Sequence, residues 1–180
     1  MKKPAARTKS AAGASGAYEE FMSRAYTMEL EATERYAQFA DQLEGHNNAG
    51  VAELFRRLAQ IETLHAKRIL EEMGWPSVPP LPAAYAWETP EGPETAPFDR
   101  VHYLMLPYHA LKIALECEMQ AEKYYEGIAK SKAPARVRDA AAEMAEEERE
   151  HVRLVQTWLK KFPKPPAEWE RDPDPPRVGE

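Results

Sequence analysis

Apolar residues recur at helical spacing in four separate stretches of the chain. The first stretch alternates steps of three and four residues, through Tyr18, Met22, Ala25, Glu29, Ala32, Tyr36, Phe39 and Leu43. This spacing places every member on one face of a helix, which is typical of a helix that packs against a core. The same pattern predicts four long helices, over about 18–44, 50–73, 107–130 and 135–162.

Short breaks separate the helices within each pair, and one long break separates the pairs. GHNNAG (45–50) and SKAPAR (131–136) have turn composition, and Gly74 followed by Pro76 ends the second helix. Residues 74–106 are rich in proline and far longer than a usual connection, as expected for a crossover that runs the length of a bundle. We expect a short helical piece near 98–106, capped by Asp99. The predicted fold is therefore all-α: a four-helix bundle of two antiparallel helical hairpins joined by a long proline-rich crossover.

The two ends of the chain lack this pattern. Residues 1–17 are basic and rich in small residues, and we expect a disordered N-terminal arm there. Residues 163–180 are rich in proline, which predicts an extended tail, with Trp169 docking on the bundle or on a neighbouring subunit. The bundle itself would occupy residues 18–162. Neither a signal-peptide core nor a membrane-spanning run is present, so we expect a cytoplasmic protein without a membrane partner.

Composition narrows the class of function. The chain has 180 residues, of which 43% are hydrophobic and 30% charged, as expected for one soluble helical domain. A net charge of −6 argues against nucleic acid as a partner, because phosphate binding requires a clustered basic surface. The single cysteine, Cys117, excludes an intramolecular disulfide and any CxxC metal knuckle.

Each predicted helix carries a glutamate on its apolar stripe, where a core residue is expected. Two of these glutamates are followed by a histidine three residues later, which shares the same helix face. The set is Glu29, Glu62, His65, Glu118, Glu148 and His151. Four buried carboxylates would repel each other, whereas two divalent cations would balance their charge. The mixed oxygen and nitrogen ligands suit iron, with manganese or zinc as alternatives.

The two hairpins look like copies of one unit. Glu29 and Glu118 are each followed by alanine at the third position and tyrosine at the seventh, while Glu62 and Glu148 are each followed by histidine at the third. One such acid alone would usually be a boundary residue with its carboxylate in solvent, and one such histidine a satisfied core residue. The repeated conjunction favours a shared metal site at one level of the bundle.

These residues resemble the ferritin-like di-iron carboxylate family, most closely its rubrerythrin branch, over residues 18–162. The resemblance implies that Glu62 and Glu148 bridge two iron ions and that Glu29 with His65, and Glu118 with His151, are terminal ligands. It also implies that Tyr36 and Tyr125 hydrogen-bond to the carboxylates. The alternative for these two tyrosines is a role as core aromatics.

The chain departs from rubrerythrins in two respects. Typical rubrerythrins have a rubredoxin domain with two CxxC knuckles, and these 180 residues contain no CxxC, so we expect that electrons come from a separate donor protein. Typical rubrerythrins also have a further glutamate three residues after the ligand on the third helix, and here that position is Ala121. This difference argues against peroxide turnover of the usual kind.

Three functions fit the pattern. The first is a di-iron oxidoreductase that reacts with hydrogen peroxide or dioxygen, as a homodimer in which hairpins could be exchanged between chains. The second is a ferroxidase or iron-storage mini-ferritin, which would form a closed cage. The third is a metal-free bundle that binds other proteins.

Overall fold

Four long helices make up the molecule. The computed structural model describes residues 7–78, 81, 87 and 90–172, with side chains from residue 16 onward. The helices are α1 (Arg7–Gly45), α2 (Ala49–Met73), α3 (Pro107–Ala129) and α4 (Ala135–Leu159), and a short 3-10 helix spans Phe98–Arg100. The described residues contain no strand, so the all-α prediction is confirmed.

The helix ends differ from the predicted ends in two places. α1 begins at Arg7, so residues 7–17, which we expected to form a disordered arm, are helical; residues 1–6 lie outside the described part. α4 ends at Leu159, and Phe162 is 38% exposed rather than part of the buried stripe. In the crossover, Asp99 lies within the 3-10 helix and is not its cap, because Pro97 precedes the first residue.

Local sequence explains the boundaries that agree. Gly74 has φ of 62°, a left-handed conformation that favours glycine, and its N–H bonds the carbonyl oxygen of Glu71 to close α2. Pro107 occupies the first turn of α3, where a missing N–H has no cost. The Asn48 side chain donates hydrogen bonds to the carbonyl oxygens of Tyr103 and Met105, which ties the first turn to the end of the crossover.

α1 packs mainly against α2, and α3 mainly against α4, which gives the two predicted hairpins. Their interior contains two apolar clusters, one toward each end of the bundle. The upper cluster includes Phe39, Leu43, Phe55, Leu111 and Val155, and the lower cluster includes Phe21, Met22, Ile69, Tyr125 and Ala141. In every helix the predicted glutamate falls between its upper and lower members, so an acidic layer separates the two clusters.

The crossover connects the lower end of α2 to the upper end of α3. Trp87 packs against the lower cluster, whereas Ala96 and Met105 belong to the upper cluster. Trp87 and Ala96 therefore lie on opposite sides of the acidic layer.

The C-terminal tail folds back onto the bundle. The Trp169 ring lies 3.8 Å from that of His109 and packs against the upper cluster, and the Tyr103 hydroxyl donates a 2.6 Å hydrogen bond to Asp172. The prediction that Trp169 docks on the bundle is confirmed, and residues 173–180 lie outside the described part. Among the described helices, none combines the length and the apolar composition that a membrane crossing needs.

Candidate metal centre

The structure brings the six predicted residues together as two matching triads. In the first hairpin, His65 Nδ1 lies 3.0 Å from Glu62 Oε2 and 3.5 Å from Glu29 Oε2. In the second, His151 Nδ1 lies 3.1 Å from Glu148 Oε2 and 3.4 Å from Glu118 Oε2. The close agreement between the triads follows from the repeated spacing, since a glutamate and a histidine three residues apart share one helix face.

The carboxylates are deeply buried and only partly satisfied. Glu29, Glu62, Glu118 and Glu148 are between 1% and 5% exposed. Within the described residues, no hydrogen bond reaches Glu29 Oε2, Glu62 Oε1 or Glu118 Oε2. A buried carboxylate oxygen without a hydrogen bond is costly, because it loses its hydration without compensation. Such oxygens are available to bind a cation.

The two histidines form the solvent side of the centre. The rings of His65 and His151 stack in parallel, with centroids 4.5 Å apart, and their side chains are 18% and 22% exposed. Close to them in sequence, Arg68 of α2 forms an ion pair with Glu147 of α4, so polar contacts join the hairpins on this side.

Burial governs the protonation of the centre. It raises the pKa of Glu62 to about 7, against the lowering effect of the hydrogen bond with His65. Burial also raises the pKa of Glu29 and of Glu148, and neighbouring carboxylates add to both shifts. For His151, burial acts to lower the pKa, but the carboxylates of Glu118 and Glu148 outweigh it and raise the pKa to about 11. Without a cation, these groups hold protons that a metal ion would displace.

Tyr36 and Tyr125 flank the centre on opposite sides but do not make the predicted contacts. Both are fully buried, and neither hydroxyl forms a hydrogen bond with a described residue. The expected hydrogen bonds to the carboxylates are therefore absent. Burial raises the pKa of both phenols, and nearby carboxylates raise it further, with Glu118 acting on Tyr36 and Glu29 acting on Tyr125.

One acidic residue at the centre was missed by the sequence pattern. Glu94, from the crossover, is 1% exposed, and neither of its oxygens has a hydrogen-bond partner among the described residues. It offers an oxygen within 4.8 Å of ligand atoms from Glu29 and Glu148, and also within 4.8 Å of those from Glu62 and Glu118. Burial raises its pKa well above the usual range, as do these four neighbours. A proline-rich loop has no periodicity that could have revealed this position.

The residues present fit a pair of metal ions. Each triad offers two carboxylates and one imidazole within 4.8 Å of one another, and the carboxylate oxygens without hydrogen bonds supply further donor atoms. Oxygen donors with a minority of nitrogen donors suit first-row metals such as iron and manganese.

Comparison with known proteins agrees with this geometry. A sequence model of the Rubrerythrin family matches residues 20–76 and 109–174, which together include most of both hairpins and all six predicted ligands. A crystal structure of an uncharacterized conserved protein from Magnetospirillum magnetotacticum MS-1 is 39% identical, with a TM-score of 0.59, and the match covers 82% of this chain and 97% of that one. No curated protein matches the chain. The chain belongs to the Rubrerythrin family.

Proposed function

We propose that the chain binds two iron ions in the acidic layer and acts as an oxidoreductase toward hydrogen peroxide or dioxygen. The observation that carries this proposal is the pair of matching triads, whose histidines lie 3.0 and 3.1 Å from the nearest carboxylate. Two divalent ions would neutralise the four triad carboxylates and replace the protons that they hold in the absence of metal.

The six residues of the triads would have two kinds of ligand role, bridging and terminal. Glu62 has ligand atoms within 4.8 Å of those of His65 in its own triad and of Glu118 in the other, as expected of a bridging carboxylate. Glu148 lies in the same way near His151 of its own triad and Glu29 of the other. Glu29 with His65, and Glu118 with His151, would then be terminal ligands. The two apolar clusters exclude water above and below the layer, while the partly exposed histidine side leaves access for a small oxidant.

When bound, a pair of iron ions supplies electrons for the reduction of the oxidant. The electrons would be restored by a separate donor protein, and we propose a homodimer as the working form. The ferroxidase alternative uses the same ligands but predicts a closed cage, which gel filtration separates from a dimer.

Anaerobic loading with Fe(II) tests the proposal. We expect two irons per chain after removal of unbound metal, and rapid oxidation of the centre when peroxide or dioxygen is added. Stopped-flow absorbance with each oxidant in turn identifies the one that reacts faster.

Variants test the ligand assignment. Glu62→Ala and Glu148→Ala should lose iron, whereas the exposed residues Glu71 and Glu150 on the same two helices provide matched alanine controls. Iron content that stays at the wild-type level in both Glu62→Ala and Glu148→Ala would refute the assignment. A wild-type protein that binds no iron would refute the function.

A further inference from the structure

Glu94 lies at the metal centre although it belongs to neither hairpin. The residue is 1% exposed, and neither oxygen of its carboxylate has a hydrogen-bond partner among the described residues. Glu94 has ligand atoms within 4.8 Å of those of Glu29 and Glu148, and also within 4.8 Å of those of Glu62 and Glu118. Each of these two pairs has one carboxylate from each hairpin. Glu94 therefore lies between the two triads rather than beside one of them.

The crossover is anchored so that Glu94 faces this layer. Arg35 of α1 donates a hydrogen bond to the carbonyl oxygen of Ala96 and forms a 3.0 Å ion pair with Glu91. Trp87 Nε1 donates a 2.7 Å hydrogen bond to Glu31, also on α1. These contacts hold the loop on both sides of Glu94.

A tight turn completes the anchor. The N–H of Thr95 donates a 3.0 Å hydrogen bond to the carbonyl oxygen of Gly92. A Cβ atom at position 92 would lie 2.6 Å from Glu31 Oε2 and 3.0 Å from Trp87 Nε1, so a larger residue here would displace the Glu31 carboxylate that Trp87 binds. The turn brings Glu94 inward at the level of the acidic layer.

A purely structural role does not account for this residue. A buried carboxyl with no hydrogen bond destabilises the fold, and an apolar residue of similar size would fill the space at lower cost. Its surroundings are four more carboxylates, which disfavour a fifth negative charge unless cations are present. The arrangement is unfavourable for the metal-free protein and favourable for a metal-loaded one.

We propose that Glu94 is a fifth carboxylate ligand, shared by the two metal positions, that shifts the bound pair toward its trivalent state. This inference rests on the proposed di-iron function. Four ionised glutamates with two divalent ions sum to zero charge, and five sum to −1; with two trivalent ions the sums are +2 and +1. The fifth carboxylate thus leaves an excess negative charge in the reduced centre, which disfavours that state, and it lowers the excess positive charge of the oxidised centre, which favours that one.

Glu94→Gln tests this role because it keeps the shape of the side chain and removes its charge. We expect the variant to bind two irons, as the wild type does, but at a fixed potential its ratio of oxidised to reduced centres should fall at least tenfold. Spectroelectrochemical titration gives this ratio without any measurement of activity. Asp99→Asn is the matched control, since Asp99 is an exposed acid of the same crossover and belongs to none of the metal-binding groups among the described residues; its ratio should equal that of the wild type.

The outcomes separate this proposal from the proposed function. If the wild type binds two irons and Glu94→Gln has the wild-type ratio, the role of Glu94 is refuted while the di-iron function stands. If the wild type binds no iron, both are refuted. Circular dichroism checks that the variant folds; should it fail, Glu94→Met, which is uncharged and of similar length, is titrated in its place against the same expectation.

Discussion

Glu62→Gln should stabilise the metal-free protein at alkaline pH. Burial raises the pKa of Glu62 from 4.5 to about 7, so the folded state holds a proton that the unfolded chain releases at lower pH. Folded protein then binds more protons than unfolded protein between these values, and its stability falls as pH rises. Glutamine keeps a polar atom near His65 but cannot ionise, so it removes this pH-dependent penalty.

The magnitude follows from the two pKa values. The penalty from Glu62 is about 1 kcal/mol at pH 5 and about 3 kcal/mol at pH 8. For a chain of this length, the larger value corresponds to a rise of about 6 to 12 °C in the melting temperature of the variant over wild type at pH 8. The rise at pH 5 should be about a third as large.

Thermal unfolding of chelator-treated protein, followed by circular dichroism at both pH values, measures this difference. Glu71→Gln is the control, because Glu71 is exposed on the same helix. A Glu62→Gln protein whose advantage over wild type is no greater at pH 8 than at pH 5 would refute the reasoning. Addition of iron should reverse the order of stability at pH 8, since the variant lacks a metal-binding carboxylate.

Four further outcomes follow from the geometry. Iron should raise the melting temperature of the wild type more at pH 8 than at pH 5, because the metal displaces protons from the acidic layer; equal shifts in calorimetry would contradict this. His65→Ala and His151→Ala should each bind one iron instead of two by metal analysis, since each removes one triad's nitrogen donor. Tyr36→Phe should leave the stability of the metal-free protein unchanged within about 1 kcal/mol in chemical denaturation, because the hydroxyl has no described hydrogen-bond partner. Trp169→Ala should speed proteolysis of the tail and cost about 1 kcal/mol of stability, because its ring packs on that of His109.

The sequence pattern predicted the helices and the six clustered residues because both depend on spacing along one helix. A residue on the apolar stripe faces the interior wherever the helix packs, so Glu29 and Glu118 could be placed before any contact was known. The start of α1 was missed because residues 7–17 have few large apolar side chains, although their alanines favour helix.

Contacts between distant parts of the chain could not be predicted in this way. Glu94 is buried because Arg35 and Trp87 hold the crossover on α1, and no local signal in a proline-rich loop encodes those partners. The tyrosine hydroxyls illustrate the same limit, since spacing placed Tyr36 and Tyr125 in the interior but did not determine their hydrogen bonds.

The acidic layer also affects how the bundle moves. Because it interrupts the apolar interior of all four helices, neither apolar cluster of the described residues extends through the layer, so the continuous helices and the polar contacts of the layer connect the two ends. Bound ions would connect the four helices at the acidic layer and would thereby couple the motions of the upper and lower halves. Metal occupancy would then set the cooperativity of unfolding, so that an empty protein opens at one end by local excursions while a loaded one unfolds as a single unit.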